Sequence, residues 1–170
     1  MSSLSNPQKI ALLTDSTADL TPALRAGKPI YTVPLHILCP DGEFSDGVDI
    51  FAPDIYRRLD RGEIPKTSLP DMVSIDRTFR RIKADGYEKV IAVMLSSGLS
   101  GTYNLMRLQG ADRTDLEVRV FDSLSGALGL GITVLQIWEE IQAGMGWEEL
   151  VERRVPQLIA NTFPYFSVDT

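Results

Sequence analysis

Cysteine and histidine are almost missing: Cys39 and His36 are single occurrences among 170 residues. A disulfide within the chain is therefore impossible, and a zinc site of Cys and His ligands lacks donors. Positive charge is also short. Seventeen Lys and Arg against 23 Asp and Glu leave a net charge of −6, the wrong sign for gripping nucleic acid or an anionic membrane. The longest uncharged stretch, residues 123–138, contains three glycines and falls short of the about 20 apolar residues that a membrane span needs. Residues 1–8 have no apolar block of the kind that a secretory signal carries, so they read as a flexible tail on a cytoplasmic protein. What remains, 44% hydrophobic and 24% charged, is the composition of one soluble domain with a sizeable core.

Short apolar runs mark strands over 10–13, 30–38, 89–95 and 118–121. Pro34 should push the second of these toward an edge or a bend. Phe51, Ile55 and Leu59 are spaced for a short helix over 52–60. Met72, Ile75, Phe79 and Ile82 share one face of another, with Thr67 or Ser68 as its cap and Pro70 in its first turn. Residues 103–109 read as helix. Residues 126–138 are apolar nearly all round and read as a buried helix, its glycines allowing close packing. A last helix begins near Trp147, where Pro156 must kink or break it. Strand–helix alternation implies an α/β lobe over 9–164, a parallel-type sheet with helices on both faces.

In such sheets ligands sit beyond the carboxyl ends of the strands. Three strands end there in hydroxyls: Thr14, Ser16 and Thr17; Ser96 and Ser97; and Ser123. The small residues of 96–102 let a ligand approach the backbone, and the amides that open the next helix attract anions. Hydroxyls and free amides suit a carboxylate or a phosphate, although the same residues also serve as ordinary helix caps.

Other chemistries fit less well. A serine nucleophile needs a neighbouring base, and His36 lies within a strand. Gly98-Leu99-Ser100-Gly101 lacks one residue of the nucleophile elbow. Lysine does not follow a glycine-rich turn at P-loop spacing, and Gly126, Gly129 and Gly131 sit within a helix. Asp15, Asp41, Glu43, Asp46 and Asp49 match no calcium-loop spacing. No catalytic residue, metal or cofactor is therefore assigned.

Six motifs in order resemble those of the DegV family: Thr14-Asp15-Ser16-Thr17-Ala18-Asp19-Leu20, Val33-Pro34-Leu35, Asp46-Gly47-Val48-Asp49-Ile50, Thr67-Ser68-Leu69-Pro70, Ser96-Ser97-Gly98-Leu99-Ser100-Gly101-Thr102-Tyr103, and Asp122-Ser123. The resemblance implies a two-lobed carrier that buries one long-chain fatty acid and presents it to an ATP-using fatty acid kinase, which makes acyl phosphate for phospholipid synthesis. It implies that Thr67, Ser68, Ser97 and Ser100 hold the carboxylate, assisted by the amides of Gly98 and Gly101. Asp15, Ser16 and Ser123 would line the head-group end. This chain departs from the pattern at Leu69, where the family usually has glutamine.

The family's second lobe, with its glycine- and arginine-containing loop and late histidine, has no counterpart in these residues. Residues 165–170 read as the start of the strand that crosses into it. A half-site with an exposed apolar wall would then invite self-association. Two other readings stand beside the carrier: an enzyme acting on a small carboxylate or phosphate, and a lobe with a structural or regulatory role.

Overall fold

The computed structural model describes residues 6–164, so the strand expected over 165–170 lies outside the described residues. The chain runs β1 (Ile10–Asp15), a 3-10 turn (Ser16–Ala18), α1 (Pro22–Arg25), β2 (Ile30–Val33), β3 (His36–Cys39), β4 (Gly42–Ser45), α2 (Ala52–Asp60), β5 (Lys66–Ser68), α3 (Met72–Ala84), β6 (Lys89–Met94), α4 (Thr102–Ala111), β7 (Glu117–Asp122) and α5 (Ala127–Gln142). It closes with α6 (Trp147–Glu149), a π-turn (Leu150–Arg154) and α7 (Val155–Ala160). At the end of the expected tail, Gln8 donates to Met145 O at 2.8 Å and accepts from the Trp147 N–H at 2.8 Å. The chain is thus tied into the domain from there on.

Four parallel strands in the order β2-β1-β6-β7 form the main sheet. Strand alternation sorts their side chains into two cores. Ile10, Leu12, Ile91 and Val93 pack with Leu130, Val134, Ile137 and Trp138 of α5 and with Leu150, Val155 and Leu158. Ala11, Leu13, Val90, Ala92 and Met94 face Ile75, Phe79 and Ile82 of α3 and Met106 of α4. Both sheet faces are therefore dry, as the unbroken apolar runs of β1 and β6 require. No helix among the described residues is long and apolar enough to cross a membrane.

Where one strand was expected over 30–38, the chain makes two. Proline 34 has no N–H to extend the ladder, and the next amide, Leu35, donates to Ser16 Oγ at 3.1 Å. The chain then turns into a second sheet, antiparallel, in the order β4-β3-β5. Thr67 and Ser68 lie in that sheet, opposite Ile37 and His36, and do not cap α3. Asp71 does, accepting from the Ser74 N–H at 2.8 Å. Pro70 accordingly precedes the cap.

His36 fastens the two sheets' surroundings together. Its Nδ1 meets Glu43 on β4 and its Nε2 lies 3.1 Å from Asp71, the cap of α3. Burial disfavours the charged ring, but the two carboxylates outweigh it and hold the pKa above the usual histidine value.

Pro156 does not end the last helix. The preceding turn widens so that the Val155 N–H reaches back five residues to Leu150 O, which spares the proline ring the carbonyl it would otherwise strike. Helix α5 also differs from expectation. Leu130, Val134 and Ile137 are buried, while Leu128 and Ile132 on its other face are exposed. One of its glycines is obligatory: a Cβ on Gly131 would lie 2.3 Å from Ala18 O in the turn after β1.

Gly131→Ala gains helix propensity of about 1 kcal/mol, yet the backbone clash cannot relax without moving that turn. Net destabilisation of about 1–3 kcal/mol is expected in urea unfolding. For His36, the raised pKa means that its contribution is complete below the unfolded value of 6.5 and fades as pH rises through the folded one. The stability difference between wild type and His36→Gln should therefore be larger at about pH 6 than at about pH 8.5.

Candidate functional site

The carboxyl ends of β1 and β6 meet β5 at a cleft of about 370 Å³, lined by Thr17, Leu35, Thr67, Ser68, Leu69, Leu95, Leu99 and Ser100. Parallel strand direction makes this convergence unavoidable. Every strand of the main sheet delivers its following loop to one edge.

Two carboxylates hold the loop after β6 in place. Asp15 Oδ2 accepts from the Leu95 N–H at 2.7 Å, while its Oδ1 accepts from the Thr17 N–H at 3.0 Å and the Thr17 hydroxyl at 2.5 Å. Burial pushes the Asp15 carboxyl up, and those three donors pull against it. From the other side Asp122 Oδ1 accepts from the Ser97 N–H at 3.1 Å and the Leu124 N–H at 3.0 Å. The loop is pinned to both neighbouring strands.

Of the residues singled out in the sequence, Thr17, Thr67, Ser68 and Ser100 line the cleft together. Gly101 abuts them: an atom at its Cβ position would sit 3.5 Å from Leu69 Cδ2. Ser97 and Gly98 are exposed on the same loop but do not line the cleft. Ser16 spends its hydroxyl on the Leu35 N–H and faces a neighbouring cavity that holds Asp15, Asp19 and Asp46. Ser123 is fully buried, donating to Ser125 O and accepting from the Ser125 N–H. Thr14 Oγ1 is buried without a partner. Neither hydroxyl faces the cleft.

The amides expected to assist are largely engaged within their own loop. The Gly98 N–H donates to Ser96 Oγ at 3.3 Å, and the Leu99 and Ser100 N–H groups donate to Ser96 O. At the start of α4 the Ser100 hydroxyl takes the Thr102 N–H at 3.2 Å and lies 2.9 Å from Thr102 Oγ1. The hydroxyl donors left in the cleft are therefore Thr67, Ser68 and Ser100, since the Thr17 hydroxyl donates to Asp15. His36 pairs with Ser68 across the sheet, but both ring nitrogens are held by carboxylates. No hydroxyl among the described residues has it as a base.

Four apolar lining residues were missed in the sequence. Leu35 follows the break at Pro34, Leu95 is the last apolar residue of its run, and Leu99 stands within the Ser96–Tyr103 motif without a role of its own. Leu69 was noted only as a departure. The available signal was position, since each adjoins a hydroxyl motif. Further apolar side chains are exposed near the start of α5. Leu99 is 66% exposed, as are Leu124 at 60%, Leu128 at 65% and Ile132 at 49%, and Leu99 lies within 4.0 Å of the Cβ position of Gly126, where α5 begins.

Known proteins share this fold. The family model described as uncharacterised protein, DegV family, matches residues 9–170. A DegV domain-containing protein of Clostridium acetobutylicum is 36% identical over 163 residues, covering 96% of this chain and 58% of its own length. One from Clostridium perfringens is 36% identical over 145 residues, covering 85% and 51%. Among solved structures, the fatty-acid-binding DegV family protein of Thermus thermophilus superposes with a TM-score of 0.79 at 27% identity, over 89% of this chain and 54% of that one. A DegV lipid-binding protein of Thermotoga maritima gives 0.79 at 28%, over 90% and 55%. This chain spans about half the length of these relatives. By its family model, its relatives and its fold, the chain belongs to the DegV family.

Proposed function

We propose that this chain is the acyl-binding lobe of a fatty-acid carrier, and that it presents the bound acid to a fatty acid kinase rather than transforming it. The observation that carries the reading is the cleft itself, three hydroxyls with hydrogens to give beside exposed leucines. A carboxylate accepts hydrogen bonds from Thr67, Ser68 and Ser100, and its tail lies along Leu69, Leu99, Leu124 and Leu128. The division of roles is physical. Each buried CH₂ contributes about 0.8 kcal/mol, so the tail supplies affinity. The hydroxyls supply orientation, which a kinase needs in order to find the carboxylate. Exposed leucines in this number mark a surface that is covered in the working protein. The relatives' bound fatty acids support the reading too: the Thermus and Thermotoga proteins bind fatty acid or lipid, and one from Eubacterium ventriosum, 26% identical, binds stearic acid.

Native mass spectrometry after incubation with palmitate tests the proposal. One acyl chain per protein is expected. Absence of uptake both by this chain and by a fusion extended to the full length of a DegV relative rules the reading out. Given binding, Thr67→Val and Ser68→Ala should each weaken palmitate by about tenfold, or about 1.4 kcal/mol. They should leave binding of the methyl ester nearly unchanged, a contrast that titration calorimetry resolves. Addition of a fatty acid kinase and ATP to the loaded protein should then give acyl phosphate.

A further inference from the structure

Another cavity, of about 390 Å³, lies along the open edge of β2 and shares no lining residue with the acyl cleft. Its charged lining residues are Arg25, Lys28 and Arg81, with no carboxylate among them. In an acidic chain this concentration is unusual. Arg57, Arg58, Arg113, Arg153 and Arg154 all reach a carboxylate elsewhere on the surface.

The cations of the cavity are poorly matched. Arg25 and Lys28 form no ion pair among the described residues. Lys28 Nζ donates to Leu24 O at 2.9 Å, which leaves two of its three hydrogens free. Arg25 Nη1 makes only a long contact, 3.4 Å, with Thr32 Oγ1. Its Nε is buried and has no partner, which leaves a desolvated N–H of a permanent cation uncompensated. Arg25 also borders the cavity of Asp15, Asp19 and Asp46, yet it pairs with none of them. Arg81 lies 3.8 Å from Asp85, a carboxylate that already accepts from the Tyr31 hydroxyl at 2.6 Å. Tyr31 and Tyr87, in edge-to-face contact at 6.1 Å, wall the same space.

We infer that this cavity binds a soluble phosphomonoester. Three separately anchored cations with unused donors fit a dianion that offers three acceptor oxygens, and the Thr32 hydroxyl, which accepts the long Arg25 contact, still has its own hydrogen to donate. The volume is many times the about 30 Å³ of one water molecule, so an organic body fits beside the phosphate against the two tyrosines.

Titration calorimetry at constant ionic strength with inorganic phosphate, glycerol 3-phosphate and AMP tests this. NMR of the arginine Nε and backbone amides runs in parallel. Saturable one-to-one binding of at least one ester is expected, with shifts at the Arg25 Nε and around Lys28. R25Q and K28Q should each weaken it at least tenfold, whereas R153Q, remote from the cavity, should not. Should R25Q unfold, K28Q and the Arg25 Nε signal decide the matter. Three outcomes overturn the inference: no saturable binding of any probe, equal binding by K28Q and wild type, or binding only of phosphatidic acid vesicles.

Discussion

The carboxylate of Asp15, with no exposed surface of its own, accepts from the Leu95 amide at the end of β6 and from Thr17 in the turn after β1. Two adjacent strand ends are thereby joined through one group. A buried charge is costly unless its lone pairs are filled, and here three donors fill them. The loop that follows Leu95 inherits its starting direction from this bond, and Asp122 fixes its far side through the Ser97 amide. Thr17 and Ser100, on the two tethered loops, come to line one cleft as a consequence.

Packing behind the cleft serves the same end. Gly131 lets α5 approach the Ser16–Ala18 turn so closely that a side chain would collide with its backbone. Ala18 is buried in the core beneath. The antiparallel sheet brings Thr67 and Ser68 in from a different part of the chain, and the His36 bridge between Glu43 and Asp71 holds that sheet to the start of α3. A polar rim is thus assembled from three elements, each anchored by hydrogen bonds outside the cleft. On the proposed carrier reading, hydroxyls fixed in this way orient a carboxylate at little entropic cost.

Much of the architecture was legible in the residues. Continuous apolar runs at 10–13 and 89–95 give strands buried on both faces, and the helical spacing of Met72, Ile75, Phe79 and Ile82 gives α3. The convergence of hydroxyl-rich loops followed from parallel topology alone. Thr67 and Ser68 were misplaced because three residues beside a proline carry no period: a strand of that length is decided by its partner, β3, and not by its own sequence. Ser123 was misjudged for a related reason. A serine after a strand serves a ligand or its own turn equally well, and only the fold of residues 123–125 shows which.

Local chemistry therefore determined what could be read locally: strand and helix periods, the absence of a disulfide or a histidine–cysteine metal site, the polar composition of the strand ends, and the family motifs. Tertiary structure alone decided which hydroxyls remain free and which are consumed. It also decided that α5 keeps one apolar face uncovered and that Arg25, Lys28 and Arg81 meet. The reason is that hydrogen-bond satisfaction and burial are properties of pairs of groups far apart in the chain. A sequence names each group but does not say where its partner is spent.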